Sequence, residues 1–199
     1  MSKTRKEQSG WLLAAAKVIT KGPRLRTRAF IPFAALLLWL AARAPLNYWG
    51  LLVAAAGEGL RLWASGHLHK GGESLTTSGP YAYCRNPLYL GSLLLGVGFS
   101  VAVRAYWLTA LLAALLIAFH QITIAYEESR LALRYKESFA EYRRAVPALL
   151  PRLRRWPGVP QARFSFARLL ANREVGRTLW LVGFAAAMAL LSRLQPLAR

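Results

Sequence analysis

Five runs of apolar residues follow one another along the chain, and charged or turn-forming residues separate them. A helix crosses a bilayer with about 20 predominantly apolar residues. The pattern therefore predicts an all-α, integral-membrane, multi-span bundle of about five transmembrane helices. The predicted spans are residues 29–46, 50–64, 88–103, 105–125 and 178–194.

After the fourth run the pattern changes to apolar residues that recur at helical spacing among charged ones. Leu131, Tyr135, Phe139 and Tyr142 form this repeat. From Tyr126 onward the sequence thus predicts a cytoplasmic amphipathic helix that leaves the membrane. Its apolar face alone indicates a surface helix that covers the protein.

These patterns divide the chain into a basic N-terminal segment (1–28), a membrane core (29–157), and a basic linker with a C-terminal transmembrane helix (158–199). In the first part, residues 11–20 are apolar except for Lys17 and fit a short helix lying on the membrane surface. A frayed tail fits them equally well. No small-residue cleavage site follows, so a signal peptide is not expected.

Composition agrees with a membrane protein, since 55% of the residues are hydrophobic. There are 27 Lys and Arg against 8 acidic residues. These bases lie next to the apolar runs and not in a separate basic module, so anionic lipid headgroups explain them better than nucleic acid. They concentrate before the first span, after the second and after the fourth, which the positive-inside rule assigns to the cytoplasm.

The second span carries two charged residues, Glu58 and Arg61, on one helix face. Charges at this depth either pair with each other or face a polar site. Gly57 and Gly59 flank Glu58, and such small residues indicate either close helix packing or room for a ligand. Both alternatives stay open at this point.

Metal and disulfide chemistry receive little support. His67 and His69 follow the second span, but a His-x-His pair without a third ligand at suitable spacing is a weak metal signal. We therefore expect no metal site. Cys84 is the single cysteine, so an intrachain disulfide is excluded.

The most specific stretch is residues 79–91, Gly-Pro-Tyr-Ala-Tyr-Cys-Arg-Asn-Pro-Leu-Tyr-Leu-Gly. Pro80 and Pro87 fix φ and disfavour helix at the residue before each of them. Residues 78–86 should therefore form an ordered turn, and Pro87 should start a helix. At membrane depth such a backbone must be satisfied by protein, water or a ligand, so the loop is a candidate site for a polar ligand.

Glu127 and Glu128 lie where the fourth span ends. The third and fourth spans should pair as an antiparallel hairpin, which brings these glutamates to the same face as the loop. Two carboxylates at a membrane exit are well placed to meet a cationic ligand.

These motifs resemble the isoprenylcysteine carboxyl methyltransferase family and its relatives, the phospholipid N-methyltransferases. Both are integral-membrane enzymes that use S-adenosylmethionine. The resemblance covers roughly residues 57–151 and includes Gly57-x-Gly59, which is similar to a glycine pair at the cofactor of the phospholipid enzymes. It rests on Thr77-Ser78-Gly79-Pro80-Tyr81, Arg85-Asn86-Pro87-Leu88-Tyr89-Leu90-Gly91, Tyr126-Glu127-Glu128, and Tyr142 with Pro147.

The resemblance implies S-adenosylmethionine as the cofactor and Arg85 and Glu128 as catalytic residues. Arg85 would either meet an acceptor carboxylate or phosphate, or snorkel to lipid headgroups. A sulfonium is a cation, and carboxylates and aromatic faces stabilise it in a low-dielectric site. The implied cofactor-binding residues are Glu73, Ser74, Leu75, Thr76, Tyr81, Asn86, Pro87, Leu88, Tyr89, Glu127 and Glu128.

Four residues depart from the family pattern. Carboxyl methyltransferases commonly have His where this chain has Asn86, and an amide cannot titrate, so no general base is expected there. The usual Phe-Gly of the C-terminal helix is Tyr135-Lys136, and an expected arginine is Gln121.

We expect a methyltransferase that acts on a lipophilic or prenylated acceptor at the cytoplasmic face, with carboxyl O-methylation of an isoprenylcysteine-like substrate ahead of amine methylation of a phospholipid. A sterol-type membrane reductase ranks lower, because no dinucleotide fingerprint is present. A basic scaffold that binds anionic membrane lipids is the non-enzymatic alternative.

Overall fold

The computed structural model describes residues 23–69, 74–157 and 162–194, with side chains from residue 31 onward. Within these ranges the chain is helical and contains no strand, which confirms the all-α prediction. The N-terminal stretch 11–20 and Glu73 lie outside the described residues. The helices are α1 (Pro23–Ala41), α2 (Tyr48–His67), a 3₁₀ turn (Gly79–Ala82), α3 (Pro87–Ala102), α4 (Tyr106–Ala145), α5 (Phe166–Ala171) and α6 (Glu174–Leu194).

Two of the described helices, α4 and α6, are long and apolar enough to cross a membrane. The apolar part of α1 (Ile31–Ala41) and all of α3 are shorter. Helix α2 has 20 residues but carries Glu58 and Arg61. Two predicted spans thus have support from length and composition, and the count of five stays a prediction.

Helices α2 and α3 pack closely because glycines face each other where they meet. A Cβ added to Gly57 would lie 2.7 Å from the carbonyl oxygen of Gly91, and one added to Gly91 would lie 2.7 Å from the carbonyl oxygen of Gly57. Gly50 and Gly98 repeat this arrangement nearer the other end of the pair. Gly57 therefore serves helix packing, whereas a Cβ on Gly59 would meet open space.

The apolar core lies at the end of the bundle where α1 meets α2 and α3 meets α4. Asn47 caps α2 by accepting a hydrogen bond from the backbone N–H of Trp49 at 3.1 Å. Arg104 lies in the tight turn after α3, with φ of 59°. The buried members of this core are Ala34, Leu37, Ala41, Leu46, Ala54, Leu95, Phe99, Ala102, Val103, Ala105, Leu108, Leu181, Phe184 and Met188.

Helix α4 joins the predicted fourth span and the amphipathic helix into one element of 40 residues. Its helical geometry breaks at Lys136, with φ of 43° and ψ of −115°. Beyond the break, Phe139 and Tyr142 are buried against Val146 and Trp156. The predicted apolar face is thus present, and the break lies where the resembling family usually has glycine, the residue that takes such a conformation with little strain.

Candidate functional site

The loop before α3 is built as the prolines predict. Pro80 occupies the first turn of the 3₁₀ segment, and Pro87 begins α3. Gly79 has a φ of 60°, and a Cβ there would lie 2.5 Å from the ring of His67. Only glycine fits this position, both for its backbone and for its contact with the end of α2. Ser78 lies 3.1 Å from Nδ1 of the same histidine.

A second segment, residues 146–156, folds back onto the loop. The backbone N–H groups of Arg85 and Asn86 donate to the carbonyl oxygens of Pro147 and Ala148 at 2.9 and 3.1 Å. In the other direction, the N–H of Arg152 donates to Tyr83 at 2.9 Å. The structure thus shows this stretch as an ordered wall beside the loop, because the loop's amides require partners.

Arg85 and Glu128 form a buried ion pair at the centre of this arrangement. The Nε and one terminal nitrogen of Arg85 lie 2.8 and 2.7 Å from Oε1 of Glu128, and the two side chains are about 10% exposed. The other terminal nitrogen donates to the carbonyl oxygens of Arg143, at 2.9 Å, and Val146. Arg85 therefore fastens the loop to α4 and to the turn that follows it.

Glu127 meets a different residue of the loop motif. The hydroxyl of Tyr89 donates a hydrogen bond of 2.7 Å to its carboxylate. The ring of Tyr89 also lies 4.7 Å, centroid to centroid, from His120, which is buried two helical turns before Glu127. No role for His120 was predicted from the sequence, although its spacing of seven residues from Glu127 places both on one face of α4.

The other predicted cofactor residues make separate contacts. Thr76 accepts a hydrogen bond from the backbone of His69 at 3.3 Å, and Leu75 packs against the cluster of Phe139 and Tyr142. Ser74 is exposed, and Pro87 is buried at the start of α3. Asn86 donates its side-chain amide to Ala148 at 3.0 Å.

Tyr81 is buried, and its hydroxyl has no hydrogen-bond partner among the described residues. Burial raises its pKa above the ordinary value, and the nearby charge of Glu127 raises it further. A buried hydroxyl without a partner is costly unless a ligand or water completes it. Its burial beside the charge of Glu127 makes this hydroxyl a candidate contact for a polar ligand.

An apolar groove opens beside the loop, between α2 and the start of α3, with a volume of about 220 Å³. Cys84 lies in its wall, and burial raises the pKa of this thiol to about 11. The groove fits an aliphatic group better than a charged one. Its lining residues are Leu60, Trp63, Pro80, Tyr83, Cys84, Pro87, Leu90 and Pro151.

Glu58 and Arg61 do not pair with each other. A terminal nitrogen of Arg177 lies 2.7 Å from both Glu58 and Glu174, and Arg61 lies 3.2 Å from Glu174. Arg61 also donates to the carbonyl oxygen of Leu88 at 2.8 Å, on the first turn of α3.

Both partners, Glu174 and Arg177, stand just before the predicted fifth span, and sequence reasoning missed them. Their spacing of three residues at the start of an apolar run was the available signal. This chain of ion pairs links α6 to the helices that carry the site.

Part of the chain matches a known protein family. Residues 46–138 match the phospholipid methyltransferase family. This region runs from the start of α2 through the loop and α3 to just past the break in α4. It contains Arg85, Tyr89, Glu127 and Glu128.

Three curated relatives are each 32% identical to this chain. The cobalt-zinc-cadmium resistance protein CzcN of Cupriavidus metallidurans matches over 139 residues, 69% of this chain and 62% of CzcN. The nickel-cobalt-cadmium resistance protein NccN of Alcaligenes xylosoxydans xylosoxydans matches over 117 residues, 58% of this chain and 53% of NccN. The protein-S-isoprenylcysteine O-methyltransferase of Schizosaccharomyces pombe matches over 77 residues, 39% of this chain and 33% of that enzyme.

The chain therefore spans less than two thirds of the length of these relatives. No solved structure matches it at a significant level. The resemblance that the motifs predict is confirmed: residues 46–138 match the phospholipid methyltransferase family, and the chain is similar to a protein-S-isoprenylcysteine O-methyltransferase.

Proposed function

We propose that the chain is a multi-pass membrane methyltransferase that uses S-adenosylmethionine to methylate a lipophilic acceptor, with its site toward the cytoplasmic face. The observation that carries the proposal is the joining of the loop motif to the glutamate pair. Arg85 meets Glu128, and Tyr89 meets Glu127. The matched family region contains these four residues.

Each group near the loop receives a role. Glu127, Tyr89 and the hydroxyl of Tyr81 would bind the polar end of the cofactor, which supplies an electrophilic methyl group when bound. Glu128 would be the catalytic carboxylate and would be held in its ion pair with Arg85. Arg85 would position that carboxylate, since its guanidinium already binds Glu128 and the carbonyl oxygen of Arg143. The protein's contribution is to orient donor and acceptor and to exclude water.

The remaining implied residues, from residue 73 to Thr76 and from Asn86 to Leu88, would form the rest of the cofactor site. The apolar groove at Leu60, Trp63 and Leu90 would hold the aliphatic part of the acceptor. In a bundle of about five transmembrane helices the groove would lie beside lipid, so the acceptor could enter the groove from the bilayer.

Carboxyl O-methylation of an isoprenylcysteine-like acceptor stands first, because the fission yeast relative is named for that reaction. Amine methylation of a phospholipid is the alternative, because the family match carries that description. A carboxylate is ionised well below neutral pH, whereas an amine must lose a proton before it attacks. A rate that is flat between pH 6 and 8 favours the first acceptor, and a rate that rises with pH favours the second.

Two relatives are named for resistance to cobalt, cadmium and other metals. In the described part of the chain, no group of three or more His, Cys, Asp or Glu side chains could hold a metal ion. We base no proposal on those names.

The decisive experiment is calorimetric binding of S-adenosylhomocysteine to the detergent-purified protein. Wild type should bind it saturably, and Tyr89→Ala should lose binding while remaining folded. Glu128→Ala should lose binding as well, together with stability, because it breaks the ion pair with Arg85. Glu141→Gln, at an exposed carboxylate of the same helix, is the matched control and should bind normally. Absence of binding to folded wild type would overturn the proposal and favour the reductase, which a nicotinamide absorbance assay detects, or the lipid-binding scaffold.

A further inference from the structure

Segment 146–156 carries two large apolar side chains that are exposed. Leu150 is 76% exposed and Leu153 is 99% exposed, whereas Trp156 at the end of the segment is 8% exposed. Arg154 and Arg155, next to Leu153, are exposed as well. Single exposed leucines are common, but leucines at a turn among arginines are typical of peptides that enter a membrane interface.

Hydrogen bonds fix the backbone of this exposed segment. The N–H of Arg152 donates to Tyr83, and that of Trp156 donates to Ala82 at 3.0 Å. The Arg152 side chain donates to the carbonyl oxygen of Ala145 at 2.8 Å. These bonds on both sides of Leu153 fix the turn so that the leucine faces away from the protein.

The segment also lies at the right depth for an interface. Helix α3 has 16 residues and is about 24 Å long, against a hydrocarbon layer of about 30 Å. With one end of α3 at the edge marked by the aromatic residues Tyr106 and Trp107, its first residue, Pro87, comes within about 6 Å of the opposite edge of the hydrocarbon layer. Pro151 lines the apolar groove together with Leu60 and Leu90, so the segment adjoins a surface suited to lipid.

We propose that Leu150 and Leu153 insert into the leaflet beside the loop, and that Arg154 and Arg155 bind the phosphates of anionic lipids there. Arginine recognises phosphate by paired N–H donors, and each base near an anionic surface adds to the attraction. The partner is thus an anionic lipid surface. The inference rests on the proposed membrane placement but not on methyl transfer.

Depth-dependent quenching of a fluorophore tests the insertion. In a Cys84→Ser background, Leu153→Cys carries an environment-sensitive dye, and the full chain is reconstituted into vesicles whose lipids bear bromine on their acyl chains. Two further dye positions serve as references. Leu115→Cys lies on an exposed apolar part of α4, and Leu133→Cys, which is 80% exposed, lies on its charged extension.

We expect strong quenching at position 115, and quenching at position 153 several-fold above that at position 133. Quenching at position 153 should fall when anionic lipid is omitted, and also in the double variant Arg154→Gln with Arg155→Gln. Quenching at 153 no greater than at 133 overturns the inference. Quenching at 153 that is insensitive to anionic lipid overturns the role given to the arginines. Weak quenching at 115 overturns the membrane placement itself.

Discussion

Arg85 and Glu128 are 43 residues apart in the chain, and their side chains meet at 2.7 Å in a buried ion pair. The pair ties the loop before α3 to the middle of α4. Removing one member of a buried pair leaves an uncompensated charge, which typically costs about 3–5 kcal/mol. Removal of either side chain should therefore disturb the site.

We expect Arg85→Met to lower the stability of the protein by about 3 kcal/mol or more, and to weaken binding of S-adenosylhomocysteine. Arg143→Met is the control, because Arg143 contacts the same carboxylate at 3.4 Å from a side chain that is 62% exposed. An exposed pair contributes at most about 1 kcal/mol. Thermal unfolding in detergent should separate the two variants, and equal losses would contradict the assignment.

The unpaired hydroxyl of Tyr81 predicts opposite effects on stability and on binding. Tyr81→Phe removes a buried polar atom without a described partner, so stability should hold or rise. If the hydroxyl binds the cofactor, affinity for S-adenosylhomocysteine should fall about tenfold, the worth of one hydrogen bond. Tyr142→Phe is the matched control, because it loses a 2.7 Å bond to the backbone of Tyr81 and should lose stability. Unchanged affinity in Tyr81→Phe would remove this residue from the site.

Lys136 should be replaceable by glycine with a gain in stability. Its φ of 43° and ψ of −115° are unfavourable for a residue with a side chain, and such strain costs on the order of 1–3 kcal/mol. We expect Lys136→Gly to raise stability by about 1 kcal/mol, measured by thermal unfolding. Ala132→Gly, one turn earlier in regular helix, should lower it by about the same amount. A loss in both variants would argue against the break.

Gly57 and Gly59 differ in their surroundings, so they should differ in how well they tolerate replacement by alanine. Gly57→Ala puts a methyl group against the backbone of α3 and should cost about 1–3 kcal/mol. Gly59→Ala meets open space and should be neutral or stabilising, because alanine favours helix. Unfolding midpoints of the two variants test the difference directly. A tolerated Gly57→Ala would show that the helices are further apart than described.

Cys84 should be inert in the folded protein. Its thiol donates toward the carbonyl oxygen of Leu149 at 3.1 Å, and its pKa is raised to about 11. The reactive thiolate is thus only about one part in a thousand at pH 8. Maleimide labelling at that pH should proceed slowly in the native protein and rapidly after denaturation. Fast labelling of folded protein would mean that the loop and segment 146–156 separate readily.

Local rules predict the elements around the site well. The ordered turn and the start of α3 follow from Pro80 and Pro87, because proline constrains its own backbone and that of its neighbour. The apolar face of Phe139 and Tyr142 follows from helical periodicity. Both features depend on residues close together in the chain.

Long-range pairings were harder to predict. Glu58 and Arg177 are 119 residues apart, and nothing near Glu58 indicates which cation neutralises it. The fold-back of segment 146–156 depends on loop amides at Arg85 and Asn86, and a count of prolines and arginines does not reveal such a match. The break at Lys136 was not predicted, although the family pattern has glycine there.

The ion pairs between α2 and α6 also constrain how the protein is made. Glu58 and Arg61 are synthesised more than 100 residues before Glu174 and Arg177. During that interval α2 carries two charges without these partners, and inserting them alone into lipid is unfavourable. Biosynthesis therefore has a late step, in which α6 supplies the ion-pair partners of two charged residues on a helix made much earlier. In a nascent chain stopped before Glu174, Glu58 and Arg61 would have only each other, three residues apart on the same helix, as ion-pair partners.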